Sequence, residues 1–132
     1  MRGTLKNYLR GFAESKGYRF ASDIVPTGLL SEKYPCIFWV CPDASFDAAK
    51  RRWVYASTFY LVTTKPKDKD VDSILDDLQR LSRDLFLFLS KECPKDYFVD
   101  KMMKCQPKAG LDNSGAVAIA MTLNIYECDG CR

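Results

Sequence analysis

DVDSILDDLQRLSRDLFLFLSK, residues 70–91, decides the fold. Val71, Ile74, Leu75, Leu78, Leu81, Leu85 and Phe88 recur at intervals of three and four, the spacing that lines one face of an α-helix. Asp68, Asp70 and Asp72 crowd its start, where carboxylates cap free amides and oppose the positive end of the helix dipole, and Pro94 stops it. At about 1.5 Å per residue the rod is roughly 33 Å long, enough to cross a small sheet. Its last turns lose the one-sided pattern, because Leu85, Phe86, Leu87, Phe88 and Leu89 put large apolar groups all around the axis. One side of them faces the sheet. The other side needs cover, either from the first helix or a loop of the same chain, or from a neighbouring subunit. In the second case Leu85, Phe86, Leu87, Phe88 and Leu89 are the interface of a homo-oligomer.

On both sides of this helix the sequence turns to strand formers. Upstream, Cys36-Ile37-Phe38-Trp39-Val40-Cys41 lies between Pro35 and Pro42 and reads as a strand buried on both faces. Arg51 to Thr64 is again rich in β-branched and aromatic residues, and the polar loop Asp43 to Lys50 joins the two into a hairpin over 36–64. Downstream, Tyr97 to Cys105 reads as a third strand, and Gly110-Leu111-Asp112-Asn113-Ser114-Gly115 as a turn. In a fourth strand Val117, Ile119, Met121, Leu123 and Ile125 alternate with smaller or polar residues, the period of a sheet with one face on a helix. These two strands give a second hairpin over 97–126, followed by a tail, 127–132. Ahead of everything, Leu5, Tyr8, Leu9 and Phe12 mark a short amphipathic helix within 1–17, with Gly17 at its left-handed end, and Tyr18 to Ala21 has room for a brief strand. The expected architecture is a single α+β domain over 1–132: an antiparallel four-stranded sheet from two hairpins, packed against one long helix plus a short N-terminal helix.

A chain of 132 residues, 47% hydrophobic and 28% charged, suits one globular core. Its formal charge of +3 is mild and the two signs alternate, which argues against nucleic acid as a partner. No apolar run reaches membrane-spanning length, and no apolar stretch follows the basic start, so neither a membrane span nor a secretory signal is expected. Six cysteines are then expected to stay reduced. The sequence holds no histidine, the commonest general base near neutral pH, and its glycines form no phosphate-binding loop. No catalytic residue and no cofactor are predicted. Cys128-Asp129-Gly130-Cys131 offers half of a zinc site, Cys128 and Cys131, or a redox pair, against the plainer reading of a polar tail with two thiols. Asp76-Asp77 and the Asp68, Asp70, Asp72 series read as capping and solvation. Lys50-Arg51-Arg52 beside Trp53 and Tyr55 reads as a charged strand edge and only faintly as a nucleic-acid platform.

The order helix, hairpin, long helix, hairpin resembles that of the small α+β proteins that complete tailed-phage tails, the tail terminator and tail-completion (minor tail) proteins. The resemblance spans nearly the whole chain. It lies in Asn7-Tyr8-Leu9 near the start, in Arg51 to Thr64 running through a charged turn into 70–91, and in Asp112-Asn113-Ser114-Gly115 before Val117 to Tyr126. It implies a structural, non-enzymatic component of a phage or prophage tail, a homo-oligomeric ring that meets the tail tube or head–tail connector proteins, located in the virion or host cytoplasm and not secreted. Nucleic acid would be met only as DNA passing through the ring. The six cysteines and the aromatic 36–41 strand depart from the family pattern. A small intracellular ligand- or zinc-binding module is the alternative reading.

Overall fold

The computed structural model describes residues 2–22, 35–40, 43–64, 68, 70–91, 97–109 and 116–128. In chain order these form α1 (Arg2–Ser15), β1 (Arg19–Ser22), β2 (Cys36–Val40), β3 (Ala44–Asp47), β4 (Arg52–Thr64), α2 (Val71–Lys91), β5 (Tyr97–Val99), β6 (Lys104–Ala109) and β7 (Ala116–Cys128). β4 and β7, 13 residues each, pair antiparallel along their whole length, from Arg52↔Cys128 to Thr64↔Ala116. Their alternating side chains put Tyr55, Phe59 and Leu61 with Ile119, Met121 and Ile125 on one face, where both helices bury them. β2 and β3 line the free side of β4, β5 and β6 line the free side of β7, and β1 joins β2 as a parallel strand.

The fold is thus α+β, but the sheet is mixed and seven-stranded rather than four-stranded and antiparallel. Two of the predicted strands are broken, each for the same reason. Between the pairs Val99↔Ile125 and Lys104↔Thr122, the four residues 100–103 face only two on β7, so the expected strand Tyr97 to Cys105 is interrupted by a bulge. Between Val40↔Thr58 and Ala44↔Tyr55 the outer strand carries one residue more than β4, and the expected loop Asp43 to Lys50 contains β3. Glu127 and Cys128, assigned to the tail from sequence, complete β7. The predicted turn 110–115 and tail residues 129–132 lie outside the described residues.

Local signals set both helix ends. Asp70 caps α2, its Oδ1 accepting the Ser73 backbone N–H at 2.8 Å. Gly17 takes φ 76°, a left-handed conformation that spares glycine any Cβ clash. It closes α1 through Gly17 N–H to Glu14 O (3.1 Å) and Tyr18 N–H to Ala13 O (2.9 Å), the paired bonds of a Schellman cap. The face α2 buries is Ile74, Leu78, Leu81, Ser82, Leu85 and Leu89. It is turned slightly from the predicted stripe, whose Val71 lies exposed and whose Phe88 is half-buried. On the opposite face of the sheet, Cys36, Phe38, Val62, Ala116 and Ala118 form a second, smaller cluster.

Trp39 is fully buried and donates its indole N–H to Ser57 Oγ at 2.9 Å, while Ser57 Oγ donates to Tyr55 O at 3.1 Å. Ser57 is itself buried, so water is a poor substitute partner. Replacing Ser57 by alanine removes the indole's acceptor and is expected to lower the unfolding free energy by about 1–3 kcal/mol, read from urea denaturation followed by tryptophan fluorescence.

Candidate functional site

The end of α2 is the first place to look. Leu85 and Leu89 are each 1% exposed, sunk into the main core, which removes them from any interface. Phe86 and Phe88 are half-buried and pack against the same core. Phe88 meets Phe12 of α1, ring centroids 5.1 Å apart. Lys16 at the end of α1 reaches Asp84 on α2 at 3.4 Å. The first helix therefore supplies most of the cover that the sequence left undecided, and of the five predicted interface residues only Leu87, 42% exposed, stays open. It borders a groove of about 710 Å³ between the helices, with Tyr8, Phe12 and Lys91 along its walls.

A second cluster sits on the sheet face away from the helices, at the free end of the β4–β7 pair. The Arg52 guanidinium stacks over Tyr126, 4.2 Å from its centroid, and lies 5.6 Å from Phe98. The Phe98 and Tyr126 rings stack on each other at 4.9 Å. Such a cation over aromatic faces is held by the ring quadrupoles, about 0.5–1 kcal/mol each where partly exposed. Asp47 lies 3.7 Å from Arg52 Nε, close enough to balance its charge but beyond hydrogen-bond length, so this buried N–H has no acceptor. Tyr126 Oη donates to Asp100 Oδ1 at 2.6 Å, and the Asn124 backbone N–H donates to Asp100 Oδ2 at 3.0 Å. Asp100 thereby ties the start of the bulge to β7. On the helix-side face of the same strands, Phe46 and Trp53 meet edge to face at 5.1 Å. Tyr55 Oη there donates to Glu127 at 2.8 Å. Burial alone would raise the Glu127 pKa, but this and other hydrogen bonds prevail and hold it below its usual value.

The remaining sequence candidates do not converge. Lys50 and Arg51 are exposed in the turn before β4, Arg52 and Trp53 point to opposite faces, and Tyr55 is buried, so no stacking platform forms. Asp77 pairs with Arg80 at 3.0 Å on the exposed side of α2, a contact of little energetic weight. Cys36 is a buried free thiol in the small cluster. The half-buried thiol of Cys105 donates to Ser82 Oγ at 3.3 Å and touches Met103 Sδ at the same distance. Cys128 is disulfide-bonded, contrary to the expected reduced state. Its partner, like Cys131, lies outside the described residues, and a disulfide sulfur is no thiolate ligand for zinc. Among the described residues no three acidic, cysteine or histidine side chains gather as a metal site. None of the described helices is long and apolar enough to cross a membrane. No family model matches the chain, and no curated protein matches it in sequence.

Two measurements follow. Leu85→Ala should cost about 2–5 kcal/mol in unfolding free energy, whereas Leu87→Ala should stay within about 0.5 kcal/mol, by denaturant titration of each variant. The Tyr126 pKa is raised above the usual 10.0, chiefly by its hydrogen bond to the Asp100 carboxylate and then by partial burial. A raised folded-state value means that this bond's stabilisation is complete below pH 10.0 and fades as pH climbs through the higher folded pKa. Ultraviolet titration of tyrosinate should therefore lose a late-ionising component in Tyr126→Phe.

Proposed function

We infer that this protein is a non-enzymatic assembly subunit, a phage or prophage tail component of terminator or tail-completion type, acting as a homo-oligomeric ring with contacts to a tail tube or head–tail connector. The helix-end argument no longer carries this reading, because α1 covers most of that surface. What supports it is the placement of exposed aromatic side chains at both lateral ends of one sheet: Phe46 (43% exposed) and Trp53 (37%) on the β3 side, and Phe98 (39%) on the β5 side. Apolar groups at two unlike places on one chain suit a head-to-tail contact, in which one patch of a copy meets the other patch of the next and the series closes into a ring.

Sedimentation velocity and negative-stain electron microscopy test this directly. The expected particle is a closed ring of several subunits. It should persist at high salt, since contacts made by aromatic side chains and backbone hydrogen bonds are not screened as surface ion pairs are. A protein that stays monomeric at high concentration sinks the assembly reading, and a monomer carrying one zinc per chain favours a binding module instead.

A further inference from the structure

We propose that the ring is built by strand addition, β3 (Ala44–Asp47) of one copy pairing antiparallel with β5 (Tyr97–Val99) of the next, so that one sheet runs continuously from subunit to subunit. This rests on the assembly reading above and names its contact. Four strands share three cross-strand rows at the free end of the β4–β7 pair. Phe46, Trp53, Glu127 and Tyr97 form one row, Ser45, Val54, Tyr126 and Phe98 the next, and Ala44, Tyr55, Ile125 and Val99 the third. The ladder therefore ends at the same level on both sides, with β3 at one end and β5 at the other.

Strand direction makes the two ends complementary. β3 runs antiparallel to β4, β4 to β7 and β7 to β5, so β3 and β5 point in opposite senses. A copy displaced sideways along the ladder, without turning over, brings its β3 antiparallel to the first copy's β5 and keeps the helices on the same face. Repeating that step uses the same two edges each time, the definition of a heterologous contact that closes when its rotation permits.

The sequence of the edges separates this contact from its neighbours. β6, on the same side as β5, carries Lys104, Pro107 and Lys108, the residues that keep an edge from recruiting strands. β1, on the same side as β3, carries Arg19. β3 reads Ala-Ser-Phe-Asp and β5 Tyr-Phe-Val, with neither lysine nor proline, and each bears an exposed phenylalanine. Among the described residues no strand pairs with the outer side of β3. Backbone hydrogen bonds along an open edge supply affinity in such additions, and the flanking side chains supply the choice of partner.

Two edge variants of the full chain, each at an exposed position, test the proposal. Ser45→Lys blocks β3 and leaves β5 intact; Phe98→Lys blocks β5 and leaves β3 intact. Circular dichroism and thermal melting first establish that each is folded. Each variant alone is expected to lose the ring and self-associate about tenfold more weakly or worse, the equivalent of about 1.4 kcal/mol per contact. Mixed together, they should form a one-to-one pair and nothing larger, because one open β3 and one open β5 remain between them. Rings that survive in both folded variants, or a wild-type particle that is a closed two-fold dimer, overturn the strand-addition contact while leaving self-association in place. A wild-type monomer overturns both. Should Phe98→Lys fail to fold through loss of its stack on Tyr126, Ser45→Lys with the wild-type chain as its partner gives the same answer: the variant caps growing chains and lowers the ring yield, and an unchanged yield counts against the contact.

Discussion

Thirteen consecutive cross-strand pairs between β4 and β7 are the constraint from which the rest of the molecule hangs. Because side chains alternate along both strands, fixing this register fixes which residues reach the helices and which reach the other face. α2 can bury Ile74, Leu78, Leu81, Leu85 and Leu89 only against the row of Ile119, Met121 and Ile125 that the pairing presents. The short strands are attached to this pair and not to one another, save for β1 on β2. Even the hydrogen bond beneath Trp39 depends on it, since Ser57 points inward only in this register.

Much of this was legible in the residues themselves, wherever the deciding forces are local. The spacing within 70–91, the Asp70 cap and the Gly17 stop are settled within a few residues, and each was recoverable from sequence. β2, β4 and β7 were recoverable for a similar reason, their composition being that of strands buried on at least one face. β3 was not, because Ala44-Ser45-Phe46-Asp47 has no strand composition. It becomes a strand since β2 pairs with β4 only as far as Thr58, leaving Arg52 to Tyr55 with backbone groups to satisfy. The parallel attachment of β1 and the bulge at 100–103 likewise depend on partners far along the chain.

The surface chemistry was less legible. The stack of Arg52, Tyr126 and Phe98 joins residues from three strands, and nothing short of their register reveals that they meet. For the apolar end of α2 the sequence posed the question correctly but held no answer, because the meeting of Phe12 with Phe88 is a matter of helix packing. Lys50-Arg51-Arg52 shows the converse. A run of three cations looks like one feature in a string of letters, yet the turn before β4 leaves two of them in solvent while Arg52 lies over aromatic rings on one sheet face.

The mismatch between the outer strands and the central pair has a mechanical corollary. β5 and β6 grip β7 at offsets that differ by two residues, and β2 and β3 grip β4 at offsets that differ by one. Sliding either long strand would have to move two unequally placed grips together, dragging both bulges along the backbone at once. The arrangement works as a vernier with a single coincidence position: intermediate slips find one grip closed and the other open, so a chain that folds out of step is driven back toward alignment instead of settling there.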